Sequence, residues 1–148
     1  MGRGLYTQKV KYGDNIYTQA LEVRKYVLGK PLGIPFDERF TGDDKDAVLH
    51  AVVTWQGEVV STAMLVRVDD DMVKMRQVAT AVDMQGLGLG SRLMRYLEGY
   101  AAGKGYKRMR VPAQRAAETF YHKLGYLSNP EETYDEVGVA HIMMYRDL

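Results

Sequence analysis

Gln85-Gly86-Leu87-Gly88-Leu89-Gly90-Ser91 sits between an apolar run and an amphipathic helical pattern, and its reading decides the fold. Three glycines at alternate positions leave backbone N–H groups sterically open where a helix begins. A helix start carries partial positive charge and unpaired donors, so such a turn suits a phosphate group. A nucleotide-triphosphate loop needs a lysine and a hydroxyl after the last glycine, whereas Gly90 is followed by Ser91-Arg92. A dinucleotide fingerprint needs G-x-G-x-x-G early in a doubly wound domain. Here the spacing is G-x-G-x-G, past the middle of a chain of 148 residues. On these residues alone, a tight strand-to-helix turn without a ligand also stays open.

Downstream of the turn, Leu89, Leu93, Leu97 and Tyr100 form the apolar stripe of a helix that ends at Gly103 or Gly105. Arg108 to Ala113 reads as a strand with Pro112 inside it, which belongs on an edge or where pairing is interrupted. Ala116, Phe120 and Leu124 give the apolar side of a short helix closed by Gly125. A loop with Asn129-Pro130 follows, then strands over Thr133 to Gly138 and Ala140 to Tyr145. Upstream, Met72 to Ala81 is the strand that feeds the glycine turn. Val48 to Trp55 and Glu58 to Val68 flank Gln56-Gly57 as a hairpin. Tyr6 to Tyr12 alternates as a first strand, and Ile16, Ala20, Val23 and Val27 predict a helix ending near Gly29. Lys30 to Lys45 is irregular, longer than a simple connection, and a candidate binding loop. The predicted order is β-α-β-β-β-α-β-α-β-β, one mixed α/β domain.

Composition narrows the function. Hydrophobic residues at 46% and charged residues at 26% are ordinary globular values. Twenty basic and nineteen acidic side chains leave a net charge of +1, which gives no reason to expect a nucleic acid or a membrane surface as partner. The absence of cysteine removes disulfides, thiolate nucleophiles and cysteine metal sites. Asp69-Asp70-Asp71 lacks further oxygen ligands at calcium-loop spacing and reads as a solvated turn, so no metal is expected. No apolar run approaches bilayer length, and the start carries no apolar signal core. The expectation is a soluble cytoplasmic protein.

Two blocks give a sharper reading. Arg76 to Gly90 resembles the acetyl-coenzyme A signature of the GCN5-related N-acetyltransferases, whose core is Q/R-x-x-G-x-G/A; Gln85, Gly88 and Gly90 fill those places. Ala113 to Tyr126 is similar to that family's final helix, with its A-x-x-F-Y-x-K-L-G-F/Y run. One helix and one strand separate the blocks, as in the family. The resemblance implies a single N-acetyltransferase domain over residues 4–148. It also implies the acyl-CoA N-acyltransferase fold, with a mixed central sheet of six or seven strands and helices on both faces.

The resemblance implies acetyl-CoA as cosubstrate. Val78, Ala79 and Thr80 match the strand that meets the pantetheine arm, as an added strand would. Gln85, Gly86, Leu87, Gly88, Leu89, Gly90 and Ser91 match the pyrophosphate turn. Phe120, Tyr121 and Lys123 match the cofactor side of the last helix, and Arg92, Lys123 or another nearby cation answers remaining phosphate charge. Tyr121 matches the family tyrosine that hydrogen-bonds the cofactor sulfur and protonates it. The implied reaction is direct attack of a primary amine on the thioester in a ternary complex, with a small-molecule acceptor.

Glu136 to His141 is similar to a small bacterial subgroup with a D/E-x-G-x-P/A-H stretch near the acceptor. His141 is the candidate base, and Glu136 either orients it or binds a cationic acceptor. Arg24 to Asp37 matches the same subgroup in part. The stretches Lys30 to Asp46 and Thr133 to His141, with Phe36, Asp37, Glu38, Phe40, Asp135 and Glu136, are expected to wall the acceptor pocket. A homodimer is a common outcome in the family. The competing reading is a non-catalytic acyl-CoA sensor on the same scaffold, against which Tyr121 argues.

Overall fold

The computed structural model describes residues 4–148, except the side chains of Glu38 and Arg39. The elements are β1 (Leu5–Val10), α1 (Asn15–Arg24), α2 (Glu38–Thr41), β2 (Leu49–Trp55), β3 (Glu58–Arg67) and β4 (Met72–Thr80). They continue as α3 (Leu89–Gly103), β5 (Arg108–Gln114), α4 (Glu118–Lys123), β6 (Leu127–Glu136) and β7 (Val139–Asp147). The seven strands run in the order β1-β2-β3-β4-β5-β7-β6. Strands β4 and β5 are parallel, while β1–β2, β2–β3, β5–β7 and β6–β7 are antiparallel, so the sheet is mixed. The predicted order is recovered, with the four-residue α2 added inside the irregular stretch. Among the described residues no helix is long and apolar enough to cross a membrane. The backbone groups into two compact units, one running up to Val66 and including Gln77–Leu97, the other Arg67–Arg76 with Glu98–Leu148.

In the first unit, Asp14 caps α1 by accepting from Tyr17 N–H at 2.9 Å. Ala20 of α1 packs with Val52 and Val59, and Val10, Ile16 and Val23 close around them. The residues α1 buries outright are Tyr17, Ala20 and Arg24, so its inner face is more polar than its aliphatic spacing predicts. The helix also ends earlier as an α-helix. From Lys25 to Gly29 it widens into a π turn, then tightens over Lys30–Leu32 before Gly33, at φ 65°, stops it. Gln56 and Gly57, at φ 51° and 83°, make the primed turn that joins β2 to β3.

The buried polar centre of this unit is Arg24, 0% exposed, paired with Asp44, 2% exposed, at 2.6 Å. Arg24 also donates to the carbonyl of Phe40 at 3.0 Å, and the Tyr17 hydroxyl donates to the same Asp44 carboxylate. His50 Nε2–H donates to the Asp44 carbonyl at 2.8 Å. Together these bonds fasten the 37–44 stretch to α1 and β2. Burial pushes the Tyr17 hydroxyl up, with Asp44 adding to the effect.

Burial also lowers the His50 pKa from 6.5, against the upward pull of its bond to the Asp44 carbonyl and of the Asp44 charge; Arg24 adds to the lowering. The folded state thus resists a proton that the unfolded chain accepts below about pH 6.5. Stability is therefore present above that pH and is lost as acid is added. The melting temperature is expected to fall from pH 7.5 to 5.5, and the fall should be smaller in His50→Gln. Equal slopes for the two proteins would remove His50 from this account.

In the second unit, Met109, Val111 and Ala113 of β5 are buried while Arg108, Arg110, Pro112 and Gln114 alternate to the other face. The β4–β5 ladder pairs Met72 with Arg108, Val73 with Met109 and Lys74 with Arg110. Pro112 lies beyond that ladder and pairs instead with Met143 of β7. Asp69 closes the acidic turn itself, its Oδ1 accepting from the N–H groups of Asp71 and Met72, both at 2.8 Å.

Two expectations in this unit are corrected. Asn129-Pro130 is not a free loop: β6 already starts at Leu127, and its register to β7 shifts between Ser128 and Thr133. The bulge holds itself, with Asn129 donating to Glu132 at 2.7 Å and accepting from Glu131 N–H at 3.0 Å. In α4, the buried positions are Tyr121 and Leu124, while Phe120 is 37% exposed. A helix of six residues offers one narrow inner face, and the preceding 3₁₀ turn at Arg115–Ala117 rotates that face onto Tyr121. Tyr126, 0% exposed, donates to Glu98 at 2.7 Å, and Arg146 donates to the other Glu98 oxygen at 3.1 Å.

Candidate functional site

The glycine turn belongs to the first unit. Gly86 and Gly88 adopt φ of 81° and 77°, conformations that favour glycine. A Cβ built on either would meet nothing within 4 Å, so the space above their backbone is open. The fifteen-residue α3 begins at Leu89, which is buried, while Leu87 remains 64% exposed. Open glycine backbone leading into the unpaired N–H groups of a long helix fits a phosphate. Gln85 does not project away from the turn; its side-chain amide donates to the carbonyl of Thr80 at 3.0 Å. Arg92, one of the cations considered for the phosphates, donates through Nε to the Thr7 hydroxyl at 2.8 Å.

Strand β4 reaches this turn through a break that the sequence did not announce. Gln77 has φ 55°, a left-handed backbone uncommon for a residue other than glycine. The next residues, Val78 to Thr80, stand outside the β4–β5 ladder. Ala79 is buried, and Ser61 of β3 bonds both the Ala79 carbonyl, at 3.2 Å, and the Thr80 hydroxyl, at 2.9 Å. The β3 side of this stretch is thereby fixed.

The catalytic candidates and the α4 residues belong to the second unit. Tyr121 is 6% exposed, and its ring meets Phe120 and Tyr126 edge-on at 5.1 and 5.9 Å. Burial alone pushes its hydroxyl up to about 12, so it keeps its proton at neutral pH. Lys123 is exposed in the last turn of α4. His141 is half-buried and lies flat on Tyr134, with ring centroids 5.2 Å apart and planes 15° apart. Its Nδ1–H donates to the carbonyl of Val139 at 2.8 Å. That bond leaves Nε2 as the lone-pair nitrogen, the tautomer a general base needs. The orienting partner is thus backbone, where the sequence offered Glu136.

Glu136 is exposed on β6 opposite Val139, and its charge acts on Tyr134. The Tyr134 hydroxyl is raised by burial and by Glu136, and drawn the other way by Arg76 and Arg110. Those two arginines were not singled out from the sequence, because nothing in their local pattern marks them. Between β6 and β7 the chain turns at Val137 and Gly138, with φ of 46° and 79°. A β-branched residue is strained in that region, and strain of this kind gathers at functional sites. Of the expected pocket residues elsewhere, Phe36 and Phe40 pack at 5.2 Å in the first unit, and Asp135 is exposed on β6. The Glu38 side chain lies outside the described residues.

Comparison with known proteins identifies the family and the fold. The model of the acetyltransferase (GNAT) family matches residues 15–126. The uncharacterized N-acetyltransferase YjcF of Bacillus subtilis is 28% identical over 128 residues, covering 86% of this chain and 90% of YjcF. Among solved structures, Escherichia coli ElaA superposes with a TM-score of 0.79 at 25% identity, over 96% of this chain and 99% of that one. A GNAT family acetyltransferase from Elizabethkingia anophelis, solved with acetyl-CoA bound, shares the fold at a TM-score of 0.75 and 16% identity, over 98% and 99% of the two chains. The match to the family model spans well over half of the sequence, and the chain belongs to the GNAT acetyltransferase family.

Proposed function

We propose that this protein moves the acetyl group of acetyl-CoA to a primary amine of a small-molecule acceptor by direct attack. The observation that carries the proposal is the open glycine turn at Gly86 and Gly88 on the N-terminus of α3, in a chain of an acetyltransferase family. The backbone of Gly86 to Ser91 would hold the pyrophosphate, with Gln85 bracing the turn through Thr80. Val78 to Thr80 would offer unladdered backbone to the pantetheine arm. Phe120 and Lys123 are the cofactor-side candidates of α4, in the second unit. When bound, acetyl-CoA supplies an activated acyl carbon and a thiolate leaving group.

The chain's own contribution is proton management. An amine with a pKa of about 10.4 is almost wholly protonated at neutral pH and cannot attack. His141, with Nδ1–H on the Val139 carbonyl and Nε2 bare, takes that proton. Tyr121 keeps its hydroxyl proton and offers it as a hydrogen bond to the departing sulfur. Glu136 adds negative charge beside Tyr134, within the stretch similar to the small bacterial subgroup. His141→Ala is expected to lower kcat/KM about 100-fold near neutral pH, with the loss shrinking as pH rises toward the amine's own pKa. Full activity of that variant from pH 6 to 9 would dismiss His141 as the base.

Thermal melting tests the cofactor site separately. A ligand at a hundred times its Kd stabilises by about 2.7 kcal/mol. For a chain of this size that corresponds to a rise of roughly 5–10 °C. Acetyl-CoA should produce that rise, and no rise at saturating concentration would contradict the proposed turn.

A further inference from the structure

We infer that the acceptor is an amine that also carries an anionic oxygen group, carboxylate or phosphate, and that Arg110, with Arg76 beside it, is the subsite for that group. The inference rests on the reading of the β6–β7 hairpin as the acceptor side of an N-acetyltransferase.

The register of the second unit places the relevant side chains on one sheet face. The buried face of β5 is Met109, Val111 and Ala113, so Arg110 and Gln114 lie on the opposite one. Across the β5–β7 ladder, Arg110 stands opposite Tyr145, Pro112 opposite Met143, and Gln114 opposite His141. Tyr134 of β6 is opposite His141. On the other side, Lys74 of β4 is opposite Arg110, and the period of two brings Arg76 to the same face. None of these face residues is fully buried, so the face is reachable.

The electrostatics on this face favour an anion. Arg76 and Arg110 both act on the Tyr134 hydroxyl, the ring of which carries His141. Arg110 bonds the Tyr145 hydroxyl, and its Nε, itself buried, has no partner among the described residues. The acids on the face are Glu132, Glu136 and Asp147, the last paired with Arg108 at 3.7 Å at the far end of the ladder from His141. Glu132 is engaged by the Tyr145 hydroxyl and the Asn129 amide, while Glu136 sits at the exposed end of the hairpin. A guanidinium fork matches carboxylate or phosphate with two parallel hydrogen bonds. From Arg110 to the level of His141 is four residues of strand, about 13 Å. An extended arginine and a short bifunctional amine together close that distance, with the anion at one end and the amine at His141.

Calorimetry on the protein loaded with coenzyme A, which has no acetyl group to transfer, tests this with two matched pairs: 4-aminobutyrate against butylamine, and O-phosphoethanolamine against ethanolamine. At least one member with the anionic group should bind ten times or more tighter than its match without it, and the pair that shows it identifies the anion. Arg110→Gln should reduce that preference to within about twofold, while Arg110→Lys, which keeps charge but loses the fork, should retain part of it. Melting curves of both variants check their folding, and Arg110→Lys carries the test if Arg110→Gln does not fold. Equal binding of amines with and without the anionic group, or a preference untouched in both variants, would overturn the inference. Acetyl transfer to amines without any preference for the anionic group would overturn the subsite and leave the transfer reading standing. Anion-dependent binding with no transfer to any amine would do the reverse.

Discussion

Replacing Tyr121 by phenylalanine is expected to lower turnover by one to two orders of magnitude while leaving the affinity for acetyl-CoA nearly intact. The effect depends on where the hydroxyl's proton is held. Burial alone sets the pKa at about 12, so the group is a donor and never a base under working conditions. A thiol of about 8.5 is the stronger acid, and full proton transfer from Tyr121 to a thiolate would be uphill by about 4–5 kcal/mol. Its main effect would then be a hydrogen bond to sulfur as negative charge develops there, from a side chain that is only 6% exposed. A loss of one or two orders corresponds to about 1.4–2.8 kcal/mol of transition-state stabilisation. Phenylalanine preserves the edge-on packing against Phe120 and Tyr126, so binding should hold. Steady-state kinetics read the split: a lower kcat with unchanged KM for acetyl-CoA supports the role, and an unchanged kcat sinks it.

The largest stability effect is expected at Asp44. Asp44→Ala leaves Arg24 charged at 0% exposure and removes the acceptor of Tyr17. Breaking one half of a buried pair costs about 3–5 kcal/mol, because the remaining charge has no compensation. The double variant Arg24→Met with Asp44→Leu removes both charges and should recover much of that loss. Urea denaturation of the single and double variants measures the difference. If Asp44→Ala cost under 1 kcal/mol, the carboxylate would not be the fastening point of the 37–44 stretch.

That same cluster shows what sequence reading could and could not reach. The glycine turn was legible because positive φ demands glycine, and Gly86 and Gly88 adopt it. The succession of elements along the chain was legible because apolar residues recur at strand and helix periods and the hairpin turn at Gln56-Gly57 is chemically specific, while the sheet order came only with the structure. Arg24 was not, since a charged residue on an otherwise aliphatic helix face reads as solvated until Asp44, twenty residues on, is known to meet it. The left-handed backbone at Gln77 was equally hidden, because no local residue pattern requires a glutamine at φ 55°. In α4 the apolar spacing pointed to Phe120, whereas the preceding 3₁₀ turn buries Tyr121 instead. For the candidate site, the glycine turn, Tyr121 and His141 were all read from the sequence. Arg76 and Arg110 became visible only when strand register put them on the face of His141.

Release of coenzyme A thiol from acetyl-CoA, followed continuously with and without a panel of small primary amines, tests the central claim most directly. The account predicts release that depends on the amine, saturates with it, and is matched mole for mole by N-acetylated product. Stabilisation of the protein by acetyl-CoA with no amine-dependent release on any member of the panel would contradict it.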